Sequence, residues 1–278
     1  MGEPDLSPVP PGTGWPGDPA TFDTPVAESP AAVRELAATA GTLGELVARQ
    51  SVCRACPRLV EWRERVAAEK RRSFHSERYW GRPVPGWGSP RPLILIVGLA
   101  PAAHGGNRTG RVFTGDRSGA VLYASLWRNG LAAQQASAAA GDGQRLLGAR
   151  MVAAVRCAPP QNKPSVPERD ACAPRLAAEL RFVAGGLRSI VCLGHFAWHA
   201  TWPQLAAAGF TVPRPRPSFG HGAEVQVRHA DTGGAGGDGA PVLVIGCYHP
   251  SQQNTFTGRV TSAMLDAVFQ RARVHAGM

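Results

Sequence analysis

Leu93-Ile94-Leu95-Ile96-Val97-Gly98 is a short apolar run that begins directly after Pro92. A run of this length with β-branched residues is typical of a strand that a parallel sheet buries on both faces. Similar runs occur at Met151–Val155, Ile190–Leu193 and Val242–Gly246, and helical patterns lie near 118–130, 167–183, 195–208 and 258–274. This alternation predicts an α/β fold in which helices cover both faces of a mostly parallel sheet.

Unusual polar loops follow three of the predicted strands. Their sequences are GLAPAAHGGNRTGRVFTGD at 98–116, RCAPPQNKP at 156–164 and CYHPSQQNTFTGR at 247–259. Loops so rich in Asn, Gln, His, Gly and Pro are poor material for a hydrophobic core. In an open parallel sheet, ligands bind beyond the carboxyl ends of the strands. We therefore expect these loops to converge on one site.

Prolines are dense at the start of the chain, where residues 1–30 contain eight of them. Such a segment buries too little apolar surface to offset the entropy of ordering it. We therefore predict a disordered Pro-rich tail over 1–30 and a single domain over 31–278. The sequence has neither a secretory leader nor an apolar run long enough for a membrane span, so we expect a cytoplasmic protein.

The net charge of +10 is unevenly distributed along the chain. Residues 1–33 carry −5 and contain no Lys or Arg, which leaves +15 on the remaining residues. A basic domain attracts polyanions, and nucleic acid is the usual one. A basic composition that merely follows a GC-rich genome explains the charge equally well, so charge alone leaves both interpretations open.

Six cysteines occur in this chain, and a reducing compartment disfavours disulfides between them. Cys53 and Cys56 have the two-residue spacing that presents two sulfurs to one metal site, and Cys157 and Cys172 lie downstream. Four such ligands suit either zinc or a [4Fe–4S] cluster, and inert buried thiols are the alternative. Two further cysteines fall inside apolar strand runs, where we expect small buried hydrophobes: Cys192 and Cys247.

Five segments in consistent order carry a family resemblance: CRACPRLVEWRE (53–64), YWGRPVPGWG (79–88), GLAPAAHGGNRTGRVFTGDRSGA (98–120), VRCAPPQNKP (155–164) and YHPSQQNTFTGR (248–259). Together they resemble the type 5 (B-type) uracil-DNA glycosylases over about residues 45–275. The resemblance implies a three-layer α/β/α sandwich around a short, mostly parallel sheet. It also implies a structural [4Fe–4S] cluster bound by Cys53, Cys56, Cys157 and Cys172.

The substrate that the resemblance implies is DNA containing uracil. Hypoxanthine, ethenocytosine and hydroxymethyluracil are further expected bases. The enzyme would extrude the damaged nucleotide and hydrolyse its N-glycosidic bond, which leaves an abasic site for base excision repair. We expect a monofunctional glycosylase and a monomer, although Lys163 lies close enough to the site loops that lyase activity stays open.

The expected acidic residue is Asp116. Most of the superfamily has an acidic residue or Asn directly after the first strand, but this chain has Leu99 there, and Asp116 in FTGD fits the B-type pattern. Its carboxylate would favour a cationic sugar and orient the attacking water. Capping the helix predicted to begin near Ser118 is the structural alternative, and the two roles are compatible.

Three further side chains would recognise the extruded base. Phe113 would stack on it, the Asn162 amide would pair with uracil N3–H and O4, and a neutral His249 would donate to O2 as negative charge develops. Backbone N–H groups around Ala100 would also cradle the base or a phosphate. The alternatives are a core Phe, an Asn that caps a loop or helix, and a structural His.

Five basic or polar residues in these loops are candidate phosphate contacts: Asn107, Arg108, Arg111, Lys163 and Arg259. Phe256 is a candidate wedge for the gap that the flipped base leaves. A non-catalytic module that binds damaged or single-stranded DNA, with a structural metal or Fe–S clip, is the main alternative function. A zinc-clipped nucleotide hydrolase is disfavoured because the chain has no GxxxxGK[ST] loop.

Overall fold

One seven-stranded sheet forms the centre of the computed structural model, which describes residues 7–230 and 239–278. Its strands are β1 (Trp87–Gly88), β2 (Ile94–Gly98), β3 (Ala149–Ala153), β4 (Ser189–Leu193), β5 (Phe210–Thr211), β6 (Glu224–His229) and β7 (Val242–Cys247). Their order across the sheet is β1-β3-β2-β4-β7-β6-β5.

The central strands β3, β2, β4 and β7 are parallel to their neighbours, and every residue in them is buried. These four are the apolar runs seen in the sequence, so the prediction of a mostly parallel sheet is confirmed. The outer strands β1, β5 and β6 pair antiparallel and were not predicted. They lie at the margins of the sheet and lack a continuous apolar run.

Helices cover both faces of the sheet. They are α1 (Pro30–Ala38), α2 (Leu43–Ser51), α3 (Pro57–Glu69), α4 (Gly106–Thr109), α5 (Arg117–Arg128), α6 (Val166–Val183), α7 (His195–Ala207), α8 (Gln252–Phe256) and α9 (Ser262–His275). None of the helices in the described residues is long and apolar enough to cross a membrane.

Alternation along β2 shows how the three layers form. Ile94 and Ile96 pack into the core that includes residues of α5 and α9, whereas Leu95 and Val97 pack into the core that includes residues of α6 and α7. Successive side chains of a strand point to opposite faces, so a fully apolar strand supplies both cores at once. The three-layer α/β/α sandwich is confirmed.

The helix predicted over 258–274 begins later than expected. Gly258 has a left-handed backbone (φ 71°), and α9 starts at Ser262 after the Thr261 side chain accepts a hydrogen bond from the Met264 N–H (3.2 Å). The preceding residues form the separate short helix α8. Gly258 and the N-cap Thr261 separate α8 from α9. The prediction missed this boundary because it followed apolar periodicity, which neither residue interrupts.

The predicted disorder of residues 1–30 is wrong where the structure describes the segment. Residues 7–29 pack along the domain: the Val9 N–H donates to the Trp80 carbonyl (3.1 Å), and Trp15 lies beside the Trp80 ring (5.9 Å between centroids). Asp18 forms a buried ion pair with Arg82 (2.6 Å). The prediction rested on the overall proline-rich composition of the segment, which does not reveal the few residues that anchor it. Residues 1–6 lie outside the described part of the chain.

Removal of the Asp18 carboxylate tests whether this segment is docked in solution. Asp18→Asn leaves the Arg82 guanidinium buried without its carboxylate, so we expect the free energy of unfolding to fall by about 3–5 kcal/mol. Urea unfolding of wild type, Asp18→Asn and the exposed-site control Asp23→Asn measures the difference. Equal stability of all three proteins would show that the segment does not hold this position.

Candidate active site

The polar loops converge on a single cleft at the carboxyl edge of the sheet. The cleft has a volume of about 1050 Å³. It is lined by residues from the loops after β2 and β7, by the start of α5 and by the segment before α6. All five residues expected to bind the base or to act on it line this cleft: Ala100, Phe113, Asp116, Asn162 and His249.

Asp116 lies at the N-terminus of α5 and faces the cleft. Its Oδ1 accepts a hydrogen bond from the Gly119 N–H (2.8 Å), so the residue caps the helix, as the structural alternative proposed. Burial raises the pKa of the Asp116 carboxyl, and hydrogen bonds from the backbone N–H groups of Gly119 and Ser118 oppose the rise. Asp116 therefore both caps α5 and lines the cleft.

Gly105 makes room for this carboxylate. A Cβ atom at Gly105 would lie 2.2 Å from Asp116 Oδ2, far closer than van der Waals contact allows. The loop after β2 thus approaches the acid as closely as a backbone can, and only glycine permits the approach. Glycine at position 105 is therefore required by packing against Asp116, whether or not the loop also contacts a ligand.

Phe113 has a backbone conformation that non-glycine residues rarely adopt (φ 51°). Its ring packs directly over Gly98, the last residue of β2, where a Cβ would come within 2.5 Å of the ring. The same ring faces the His249 imidazole (5.7 Å between centroids, 36° between planes). Strain of this kind persists only where surrounding contacts enforce it, and it is concentrated at functional sites.

Asn162 ends a short 3-10 turn, Pro160–Asn162, in which Gln161 and Asn162 both have positive φ (54° and 56°). Asn tolerates this left-handed region better than most residues. The helix α6 is capped by Ser165 in a capping box with Glu168, so capping α6 is not the role of Asn162. Its exposed position on the wall of the cleft leaves the amide facing solvent.

His249 follows β7 and is uncharged at neutral pH, because burial lowers its pKa to about 4. Its carbonyl accepts a hydrogen bond from the Asn254 side chain (2.9 Å), which fixes the turn into α8. Gly194 lies beneath it, since a Cβ there would come within 3.1 Å of the His249 Cβ. The ring is therefore a neutral donor or acceptor held in place by the ends of two strands.

Three of the five expected phosphate contacts are buried and serve the protein's own structure. The Asn107 amide donates to the Arg63 carbonyl (3.1 Å), Arg108 donates to the carbonyls of His104 and Gly115 (2.9 Å each) and pairs with Glu77, and Arg111 pairs with Asp142 (2.7 Å). Their exposed fractions are 0%, 7% and 8%. The prediction was wrong for Asn107, Arg108 and Arg111, because loop sequence does not reveal burial.

The other candidates on the loops are exposed. Lys163 follows the turn that carries Asn162, and the Arg259 guanidinium lies over the Tyr248 ring (4.9 Å). Phe256 at the end of α8 is 88% exposed, which is unusual for a large aromatic side chain. These positions are open to a large ligand above the cleft.

Four cysteines line one small pocket: Cys53 and Cys56 of the CxxC pair, and the downstream Cys157 and Cys172. Burial raises the pKa of the Cys56 thiol to about 12, and its proximity to the other three thiols adds to the rise. Cys157 Sγ accepts a hydrogen bond from Arg63 Nη1 (3.0 Å). Among the described residues, no three His, Cys, Asp or Glu side chains are arranged to hold a single metal ion.

The remaining cysteines, Cys192 and Cys247, are buried within β4 and β7, as predicted. Cys192 contacts the Thr201 hydroxyl (3.5 Å), and Cys247 contacts the Tyr248 carbonyl (3.3 Å). Neither lines the pocket that the other four cysteines share.

Comparison with known proteins identifies the family. The family model of the uracil DNA glycosylase superfamily matches residues 85–273, more than half of the chain. The chain belongs to this superfamily. A type-5 uracil-DNA glycosylase of Mycobacterium tuberculosis is 56% identical over 272 residues, which are 98% of this chain and 96% of the relative.

Two less similar relatives also match this chain over most of its length. The type-5 uracil-DNA glycosylase of Thermus thermophilus is 45% identical over 231 residues, 82% of this chain and 95% of that protein. The corresponding protein of Pyrobaculum aerophilum is 40% identical over 237 residues, 85% of this chain and 95% of its own length. The type 5 resemblance seen in the loop motifs is confirmed.

The partly buried His249 imidazole predicts a measurable dependence of stability on pH. An unfolded His249 has a pKa near 6.5, and the folded ring has one of about 4. The unfolded chain therefore binds the extra proton between these values. Stability from this group is present above pH 6.5 and falls by about 1.4 kcal/mol for each pH unit down to pH 4.

His249→Gln removes this titration, so its stability should fall less steeply than that of wild type between pH 6.5 and 4.5. Urea unfolding at several pH values measures the two slopes, and the difference isolates His249 from carboxylates that titrate in both proteins. Parallel slopes would show that the imidazole is solvated in the folded protein.

Proposed function

We propose that this protein excises uracil from DNA as a monofunctional glycosylase, by extruding the nucleotide and hydrolysing its N-glycosidic bond. The observation that carries the proposal is the meeting of a carboxylate, a neutral imidazole, an amide and an aromatic ring in one cleft of a uracil DNA glycosylase fold. The product is an abasic site, which base excision repair processes further.

The extruded base enters between Phe113 and Asn162. Phe113 supplies the stacking face, since its ring forms part of the cleft wall and is braced against Gly98. The amide of Asn162 accepts from uracil N3–H and donates to O4, which selects uracil over cytosine at that edge. The left-handed turn fixes the backbone of Asn162 before substrate arrives, so less backbone entropy is lost on binding.

Cleavage of the glycosidic bond develops negative charge on the base and positive charge on the sugar. His249 donates a hydrogen bond to uracil O2, and its low pKa keeps the ring neutral so that it acts as a fixed donor and not as an acid. Backbone N–H groups near Ala100, which also lines the cleft, add to this stabilisation.

Asp116 acts on the sugar side. Its ionised carboxylate stabilises positive charge at C1′ and orients a water molecule, whose oxygen bonds to C1′ as the C1′–N1 bond breaks and its electrons leave with the base. The water's proton passes to the carboxylate or to solvent. Oδ1 accepts from the Gly119 N–H and Oδ2 lies beside Gly105, so the backbone holds the carboxylate in a fixed orientation at the cleft.

Bases larger than uracil are proposed as further substrates: hypoxanthine, ethenocytosine and hydroxymethyluracil. The open cleft has a volume of about 1050 Å³, and the resemblance to the type 5 glycosylases implies this wider range. Lys163 and Arg259 contact backbone phosphates, and the exposed Phe256 enters the stack where the base has left. One copy of the chain contains every one of these groups, so we propose that the protein acts as a monomer. We also propose that it acts in the cytoplasm.

A [4Fe–4S] cluster is proposed to be held by Cys53, Cys56, Cys157 and Cys172. These cysteines line one pocket, and four cysteine ligands suit either zinc or a [4Fe–4S] cluster. The resemblance to the type 5 glycosylases favours the cluster. The pocket is also lined by Arg63, Arg156 and Arg175, each of which has at least one buried N–H group without an acceptor in the described chain. An anionic cluster with sulfide acceptors fits such donors.

When bound, the cluster supplies a structural clip and no electrons, because hydrolysis of a glycosidic bond requires none. Cys53 and Cys56 at the start of α3, Cys157 in the loop that carries Asn162, and Cys172 in α6 would hold the cluster, which would fasten these three segments together. Arg63 links the first two of these segments by donating to Cys157 Sγ while its carbonyl accepts from Asn107 in the loop after β2.

Base release from a duplex with one G·U pair tests the proposed roles. We expect Asp116→Ala, His249→Ala and Asn162→Ala each to lower the single-turnover rate by about 10²–10³-fold while DNA binding persists. Asp23→Ala, far from these loops in sequence and exposed, is the control. A wild-type protein that binds G·U, hypoxanthine and ethenocytosine duplexes but releases no base would favour the non-catalytic DNA-binding module.

Iron analysis tests the clip. Anaerobically purified wild type should contain about four iron atoms per chain and absorb near 400 nm, as iron–sulfur proteins do. Cys172→Ala should lose both signals and unfold at lower temperature, whereas Cys192→Ala, which alters a buried cysteine outside the pocket, should keep the iron. Zinc in place of iron, or unchanged iron in Cys172→Ala, would contradict the assignment.

A further inference from the structure

A basic turn reaches the active cleft from a part of the chain that sequence reasoning left without a role. Residues 70–75, Lys-Arg-Arg-Ser-Phe-His, directly follow α3 and precede every strand of the sheet. We call them the arginine turn. Arg71 and Phe74 line the same cleft as Asp116 and His249. The tertiary structure therefore adds a fourth segment to the three loops that follow strands.

The arginine turn is connected to the loop after β2 through the Tyr79 hydroxyl. The Arg71 backbone N–H donates to the Tyr79 hydroxyl oxygen (3.4 Å), and that hydroxyl also contacts His104 Nδ1 (3.0 Å). Within the turn, His75 Nδ1 lies 3.0 Å from the Arg72 carbonyl oxygen. The turn is thus ordered without a ligand, in a position fixed relative to Asp116.

Phe74 rests on Arg108, one of the residues wrongly expected to contact phosphate. The Arg108 guanidinium lies over the Phe74 ring (3.9 Å) and is held from its other side by Glu77 and by the carbonyls of His104 and Gly115. Arg108 is therefore the support of the turn. The cationic groups presented to solvent are on the turn itself.

The charge of Arg71 is available to a ligand. Arg71 and Arg72 are both exposed, and in the part of the chain that the structure describes, no carboxylate forms an ion pair with Arg71. Burial lowers the pKa of His104 in the cleft wall, and the positive charges of Arg71 and Arg108 lower it further. A positive field therefore extends into the mouth of the cleft beside the turn.

We propose that the arginine turn binds the DNA backbone at the mouth of the cleft, with the Arg71 guanidinium on a phosphate next to the extruded nucleotide. The planar guanidinium suits a phosphate group, and a preordered turn loses little entropy on binding. This inference rests on the proposed function, since it assigns the contact to the DNA substrate. It assigns the phosphate contact to an exposed arginine, whereas Asn107, Arg108 and Arg111 are buried and bonded within the protein.

The test measures affinity for two duplexes of equal length, one with G·U and one undamaged, over a series of salt concentrations. Arg71→Ala should weaken both by about tenfold, because a phosphate contact does not depend on base sequence. The slope of log affinity against log salt should fall by about one. Arg71→Lys should keep the slope, since it retains the charge.

Arg91→Ala is the matched control. Arg91 is exposed and lies shortly before β2, at the amino edge of the sheet, so its loss removes the same charge away from the cleft. A salt slope for Arg71→Ala equal to those of wild type and Arg91→Ala would overturn the proposal. So would a loss of affinity confined to the G·U duplex, which would indicate contact with the base.

Failure of the proposed function has a different signature. Wild type that releases no uracil would count against catalysis, while the comparison of salt slopes would still decide whether Arg71 contacts the backbone. Thermal unfolding of each variant accompanies the binding data. Arg71→Ala with wild-type stability and a reduced slope supports a direct contact and excludes a merely structural role for the side chain.

Discussion

The Glu179 carboxylate is the buried charge on which much of the fold depends. It has no exposed surface, and its two oxygens accept from Arg150 Nε (2.7 Å) and Arg156 Nη2 (2.6 Å). Burial alone raises a carboxyl pKa, but the two arginines lower that of Glu179, so the charged form is the stable one. Gln50 also approaches it (3.4 Å). Removing the Glu179 carboxylate would leave two buried guanidinium groups without their counter-charge.

This network connects the segments that frame the cysteine pocket. Glu179 belongs to α6, Arg150 to β3, and Arg156 directly precedes Cys157. Gly86 fits against the carboxylate so closely that a Cβ there would lie 2.1 Å from Oε1, and its carbonyl accepts from Arg150 (3.1 Å). The start of the loop that carries Asn162 is therefore set by a polar core and does not depend on apolar packing alone.

Because many arginines are buried, the net charge of the sequence overstates the positive charge on the protein surface. Seven of the described arginines are buried: Arg63, Arg82, Arg108, Arg111, Arg150, Arg156 and Arg175. Several neutralise buried or partly buried acids, among them Asp18, Asp142 and Glu179. The charge that attracts DNA is carried by fewer residues than the sequence total suggests. Their position around the cleft matters more than their number.

The sequence by itself determined the sheet and the general location of the site. The four central strands overlap the apolar runs in the sequence, and a strand buried on both faces needs little information beyond its own residues. Parallel strands end at one edge, so the loops with Asp116, Asn162 and His249 had to meet there. Local sequence also identified the CxxC pair and the N-cap at Asp116.

Only the tertiary structure decided which polar side chains face the cleft. Arg71 and Arg108 look alike in sequence, yet the first is exposed at the cleft and the second is buried beneath Phe74. The proline-rich start of the chain docks through Trp15 and Asp18, whose partners Trp80 and Arg82 are distant in sequence. Burial of a charge depends on partners that the fold brings together, and no local pattern encodes them.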